Sequence, residues 1–270
     1  MKIIDCFMYF DEDHLLEIRL DTLYNYVDRF VIAEATIDHA GNRRAPKFNL
    51  NKFKNYSSKI KYLLIENLPT HNNFYKKNWG PSWRRENFQR NALEKGYLDC
   101  DANDLIMISD IDEIPNPKKL EEFNVKNKYA CFLQKNFQSK INLLNMTDGS
   151  WPGTKICQKK YLKSPQWLRN IKTKNKPFWK IFNRNIQLIN NGGWHFSFLK
   201  KPESIKNKII SYSHQEYNTK EFTNIDFIKK RISQGKDLFQ RNIEYKKIDI
   251  DNTFPEYIIK NKEMFKDWIL

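Results

Sequence analysis

The stretch LIMISDIDEIPNP, residues 105–117, decides the fold: five mostly aliphatic residues run into Asp110, Asp112 and Glu113 and stop at two prolines. A short apolar run bounded by turn residues is the mark of a strand buried on both faces. Such strands build parallel sheets, whose ligands sit beyond the carboxyl ends. The carboxylates fall at that place. Residues i and i+2 of an extended segment project to one side, so Asp110 and Asp112 are expected to point into one cavity. Two carboxylates held that close repel, and a cation between them relieves the repulsion. Hard oxygen ligands suit Mg²⁺ or Mn²⁺, ions that keep positions open for phosphate oxygens. The plainer reading is a solvated acidic turn closed by Pro115.

Working outward, residues 2–10 read as a buried first strand. Residues 13–27 read as an amphipathic helix, with Leu16, Leu20, Leu23 and Val27 at helical spacing. RFVIAEA, residues 29–35, is a second strand with Glu34 near its carboxyl end, and KIKYLLI, residues 59–65, is a third. WRRENFQRNALEKG, residues 83–96, predicts a helix that stops at Gly96. Strands alternating with helices predict an α/β domain with a mostly parallel sheet. The second half is less regular, with strands expected at 129–135, 178–182 and 194–199 and helices at 202–211 and 225–234.

A chain of 270 residues, 40% hydrophobic and 14% aromatic, buries a sizeable core and fits one large domain. Its 47 Lys and Arg against 32 Asp and Glu give a formal charge of +15, which favours anionic partners without choosing among them. Peripheral contact with an anionic membrane surface stays open on that ground. Cys6, Cys100, Cys131 and Cys157 form no CxxC pair, so reduced core cysteines are expected. The first residues hold too short an apolar run for a signal peptide, and no stretch approaches the roughly 20 apolar residues that span a bilayer. A cytoplasmic location is the expectation.

Several stretches together resemble glycosyltransferase family 17, the family of the bisecting β-mannoside N-acetylglucosaminyltransferases. They are KIIDCFMYFDEDHLLEIRLDTLYNYVDRFVIAEA at 2–35, WRRENFQRNALEKG at 83–96, DLIMISDIDEIP at 104–115, GGWHFSF at 192–198 and PEYIIKNKEMFKDWIL at 255–270. The resemblance implies a GT-A-type (Rossmann-like) fold, with residues 1–115 as the nucleotide-sugar-binding half and 116–270 as the acceptor half. It also implies a UDP-N-acetylglucosamine donor, a glycan or glycoconjugate acceptor, Mn²⁺ or Mg²⁺, and inversion at the transferred carbon.

Carried over residue by residue, the resemblance makes Asp112 the metal ligand. Asp110 reaches the ribose or shares the cation, and Glu113 stands behind them. Glu34 is assigned to the base or ribose, although a carboxylate capping a loop explains it as well. Lys47, with Arg43 and Arg44 in RRAPKF, is placed toward the diphosphate. Arg85 and Arg90 lie on the helix before the acidic strand, where either also fits an ordinary helix ion pair with Glu86 or Glu94. In GGWHFS the glycines are expected to let backbone approach a ligand, His195 to ligate metal or hydrogen-bond phosphate, and Trp194 to stack on a sugar or to pack. SYSHQEYN, residues 211–218, offers His214 and Glu216 as catalytic residues. Glu216 is the candidate base for the acceptor hydroxyl, with Asp148 as its rival.

Two other classes fit parts of the sequence. The charge and the aromatic content suit a nucleic-acid-binding module, but the basic residues form no stripe and no RRM, KH or zinc-finger pattern is present. A metal-dependent phosphohydrolase would use the same carboxylates, but the His/Asp-rich ligand sets of a two-metal site are missing.

Overall fold

A computed structural model of the chain describes residues 1–69, 80–173 and 186–270. The elements come in the order β1 (Ile3–Met8), α1 (Asp13–Leu23), β2 (Arg29–Ala35), β3 (Ile60–Ile65), α2 (Pro81–Ala92), β4 (Leu105–Asp110) and β5 (Glu113–Pro115). There follow β6 (Tyr129–Gln138), β7 (Leu143–Asn145), β8 (Ser150–Gln158), α3 (Pro165–Arg169), β9 (Gln187–Ile189) and β10 (Gly193–Ser197). Helices α4 (Pro202–Ser211) and α5 (Ile225–Ser233), strand β11 (Tyr245–Lys247) and helix α6 (Glu256–Lys260) complete the described chain.

Strands β3, β2, β1 and β4 run parallel in that spatial order, joined by helical crossovers. Side chains of β1 alternate between two apolar layers. Phe7 packs with Leu15, Leu16, Ile18 and Leu20 of α1, while Ile4 and Cys6 pack with Ala92 and Leu93 on the opposite face. Burial on both sides is why these strands read as unbroken apolar runs.

Beyond β4 the pairing changes. Strand β8 returns antiparallel to β4 and β6, and β7 and β11 continue antiparallel, while β10 and β9 run parallel to β6. The architecture is the α/β one expected, but the sheet is mixed and only its first four strands are wholly parallel. Strand β6 turns straight back into β7 through residues 139–142, a short connection that allows only antiparallel pairing.

The expected helices at 202–211 and 225–234 are α4 and α5, and the strands at 129–135 and 194–199 are β6 and β10. The strand expected at 178–182 lies outside the described residues. Gly96 does not end its helix in a left-handed turn. It is needed because a Cβ there would lie 2.1 Å from a Val31 methyl, so the chain crosses β2 at a distance only glycine allows. All four cysteines are buried and unbridged. Among the described residues no helix is long and apolar enough to cross a membrane.

Candidate active site

Because β4 lies beside β1 in parallel register, with Met8 opposite Asp110, residues 110–113 turn at the carboxyl edge of the sheet. An interior ion pair fixes that turn. Arg19, fully buried on α1, holds Asp5 of β1 through two hydrogen bonds of 2.7 and 2.6 Å. The same guanidinium donates to the carbonyls of Asp110 at 3.0 Å, Ile111 at 3.3 Å and Glu113 at 2.9 Å, and to Ser109 Oγ at 2.5 Å. Thr154 Oγ1 donates to the Glu113 carbonyl, and the Phe196 amide donates to that of Asp112. The motif is therefore held by its backbone, which leaves the side chains of Asp110 and Asp112 to face the cleft.

The three carboxylates have different surroundings. Glu113 is buried and receives both arms of Arg169 at 2.8 and 2.9 Å, the Trp151 indole N–H at 2.8 Å and the Asp110 amide at 3.1 Å. It is a strut for the other two. Asp110 accepts from Arg90 at 2.9 Å and from Arg169 at 3.2 Å. Burial works against its charge, but the two guanidinium groups outweigh it and hold the carboxyl well below the usual carboxylate range. Asp112 is the loosest of the three, with Lys208 Nζ at 3.3 Å from one oxygen and His195 Nε2 at 3.8 Å from the other.

Asp110 and Asp112 both line a cleft of about 420 Å³, as the i, i+2 spacing predicted. His195 lines it too, stacked on Trp151 at 4.5 Å between ring centres, with its buried Nδ1 lacking a partner among the described residues. Lys208 enters from α4. Burial opposes its charge, but Asp112 and Glu12 outweigh it and raise the pKa. On the side of the parallel strands the wall includes His39, hydrogen-bonded to Gln89 at 2.9 Å, with a pKa lowered by burial. Opposite, His214 sits against Trp83 at 4.7 Å, and its Nδ1 pairs with Glu216 at 2.7 Å.

Other expected site residues fall elsewhere. Glu34 is fully buried and does not line the cleft: it binds Arg44, the amides of Lys47 and Phe48, and the Tyr62 hydroxyl. Its job is to anchor the loop after β2, which corrects the expectation that it meets the nucleotide. Lys47 projects into solvent with Asp11 at 3.5 Å, and Arg85 is spent on the carbonyls of His39 and Pro69, so neither lines the cleft. Arg90 pairs with Glu86 as a helix neighbour and with Asp110 as a site partner at once. Trp194 packs in the core with its N–H on the Thr253 carbonyl. A Cβ on Gly193, whose φ is +136°, would lie 2.1 Å from the Ile114 carbonyl oxygen, so that glycine admits strand β5 and not a ligand. Glu216 is 59% exposed behind His214 and is not itself part of the cleft wall, whereas Asp148 is.

Sequence reasoning missed Arg19, Arg169 and Lys208. Arg19 left a trace, a cation inside the apolar pattern of α1 matched by Asp5 inside an apolar strand. Arg169 and Lys208 left none, because only folding brings residues 169 and 208 to residues 110–113.

Among the described residues no three His, Cys, Asp or Glu side chains are grouped closely enough to hold an ion. Both Asp110 oxygens are already engaged by arginines, so the expected set of Asp110, Asp112 and His195 reduces to two donors. Asp112 with an otherwise uncommitted His195 imidazole still fits Mg²⁺ or Mn²⁺, which take few protein ligands and complete their shell with water and phosphate oxygens.

The sequence profile of glycosyltransferase family 17 matches residues 1–266, nearly the whole chain. No curated protein matches. Among solved structures, the crystal structure of an active-site mutant of LgtC matches at 14% identity with a TM-score of 0.30. That alignment spans 63% of this chain and 60% of the other, and a likeness of that size decides nothing about the site. The profile match covers the acidic turn, the helix before it and the His195 strand together, and on that ground the chain belongs to glycosyltransferase family 17.

Proposed function

We propose that this glycosyltransferase moves N-acetylglucosamine from UDP-N-acetylglucosamine to a hydroxyl of a glycan or glycoconjugate, with inversion and with Mn²⁺ or Mg²⁺ at Asp112 and His195. One observation carries the reading. At the carboxyl edge of a parallel sheet, a turn fixed by Arg19 presents Asp112 to the cleft with only long contacts, while Asp110 and Glu113 are matched by arginines. Bound there, the cation supplies Lewis-acid stabilisation of the leaving diphosphate.

The chain's own residues do the rest. Inverting transfer requires the acceptor oxygen to attack the anomeric carbon as the bond from that carbon to the diphosphate oxygen breaks, and a base must take the hydroxyl proton. His214 suits that task better than Glu216: its ring lines the cleft, and Glu216 at Nδ1 fixes the tautomer that leaves Nε2 to accept the proton. Glu216 then stabilises the imidazolium. Arg90 and Arg169 keep Asp110 ionised and still, ready to accept from a sugar hydroxyl.

The test is a donor panel. With Mn²⁺ and no acceptor, slow hydrolysis is expected for UDP-N-acetylglucosamine above other nucleotide sugars. Equal inertness toward every nucleotide sugar, together with no calorimetric binding of UDP, would overturn the reading.

A further inference from the structure

Five cations crowd the turn at residues 109–113 and its neighbours Asp11 and Glu12, and four of them are each held by at least two acceptors. Arg19 holds Asp5 and three carbonyls, Arg90 holds Glu86 and Asp110, Arg169 holds Glu113 and Asp110, and Lys200 holds Asp11 and Glu12. Lys208 is different. Among the described residues its contacts are one Asp112 oxygen at 3.3 Å and the face of Phe198 at 5.2 Å. An ammonium carries three donors, so two N–H groups have no protein acceptor. They are held at a side chain only 20% exposed, in the wall of the cleft beside the acidic turn.

A fixed charge with unused donors in a concave site is arranged for an anion with several acceptor oxygens. The helix supports that placement. Ile205 and Ile209 of α4 are fully buried against Phe198 and Ile228, so the helix face carrying Lys208 is set by the core. We propose that Lys208 is a diphosphate-binding residue: it neutralises Asp112 while the cleft is empty and gives its free N–H donors to the phosphate oxygens of the nucleotide when they arrive. The proposal rests on the reading of this cleft as a nucleotide-sugar site. It has a consequence with two signs. Lys208 competes with a cation for Asp112, yet cooperates with that cation for the phosphates.

Calorimetry on the full chain tests it with Lys208→Met and Lys208→Arg, titrated with Mn²⁺ alone, with uridine, and with UDP plus Mn²⁺. In Lys208→Met, UDP affinity is expected to fall about tenfold to a hundredfold, as removal of charge-assisted hydrogen bonds does. Uridine affinity holds, Mn²⁺ alone binds more tightly, and Lys208→Arg recovers most of the UDP affinity. Equal UDP affinity in wild type and Lys208→Met overturns the proposal. So does a parallel loss for uridine, UDP and Mn²⁺, which would mark a merely structural residue. Failure of the wild-type protein to bind UDP at all would instead overturn the reading of the cleft on which the proposal stands.

Discussion

Glu34 and Asp112 look alike in the sequence, since each is a carboxylate at or just past the end of an apolar strand of the same parallel sheet. Folding makes them opposites. Glu34 has no solvent exposure and four partners within 3.0 Å, supplied by the loop it anchors and by the next strand. Asp112 has two contacts, at 3.3 and 3.8 Å, and faces the cleft. A strand end only says where a carboxylate stands. Whether it is used by the fold or left for a ligand depends on what the following loop brings back to it: the Arg44 to Phe48 stretch in one case, and a lone ammonium and an imidazole in the other.

The contrast breaks most visibly through stability. Glu34→Ala strands Arg44 and two loop amides, and removal of one partner from a buried pair costs about 3–5 kcal/mol. Denaturant unfolding should show that loss, and a change below about 1 kcal/mol would place Glu34 among the ligand residues after all. Asp112→Asn should do the reverse. UDP affinity in the presence of Mn²⁺ is expected to fall at least about a hundredfold, or about 2.7 kcal/mol. Its melting temperature should move by less than about 4 °C, the equivalent of about 1 kcal/mol in a chain of this size.

Glu12 sharpens the comparison from between the two. Burial works against its charge, but Lys200 and Lys208 outweigh it and bring its pKa from 4.5 down to about 2. A carboxyl whose folded pKa is depressed stabilises the fold above its unfolded pKa and loses that contribution as pH falls through the folded one. Stability should therefore drop as the pH goes from 4.5 to about 2, and Glu12→Gln should flatten that limb in a pH series of denaturant midpoints. An unchanged limb would show that the two lysines do not hold Glu12 ionised.

The first half of the fold was legible because strands β1, β2 and β4 are covered on both faces and α1 on one, so burial writes itself into the residue pattern. The second half was not. Strands β5, β7, β9 and β11 are three residues each, too short for any periodicity to register. The stretch TDGSWPGT, residues 147–154, carries Gly149, Pro152 and Gly153, which interrupt a strand pattern, yet Ser150 begins β8. Within the site, the acidic turn and His195 were visible as local patterns. Their partners were not, because Arg169 and Lys208 reach Asp110 and Asp112 across 59 and 96 positions of chain. The error over Glu34 has the same origin: a local motif shows the acid and hides the base that consumes it.

The guanidinium locked beneath the acidic turn carries one more implication. A single interior cation serves α1, β1 and the loop after β4 together, so positions 5 and 19 form one unit of inheritance. Relatives should keep both residues or exchange both at once, and a chain caught with only one of them altered should have lost its nucleotide pocket along with its core.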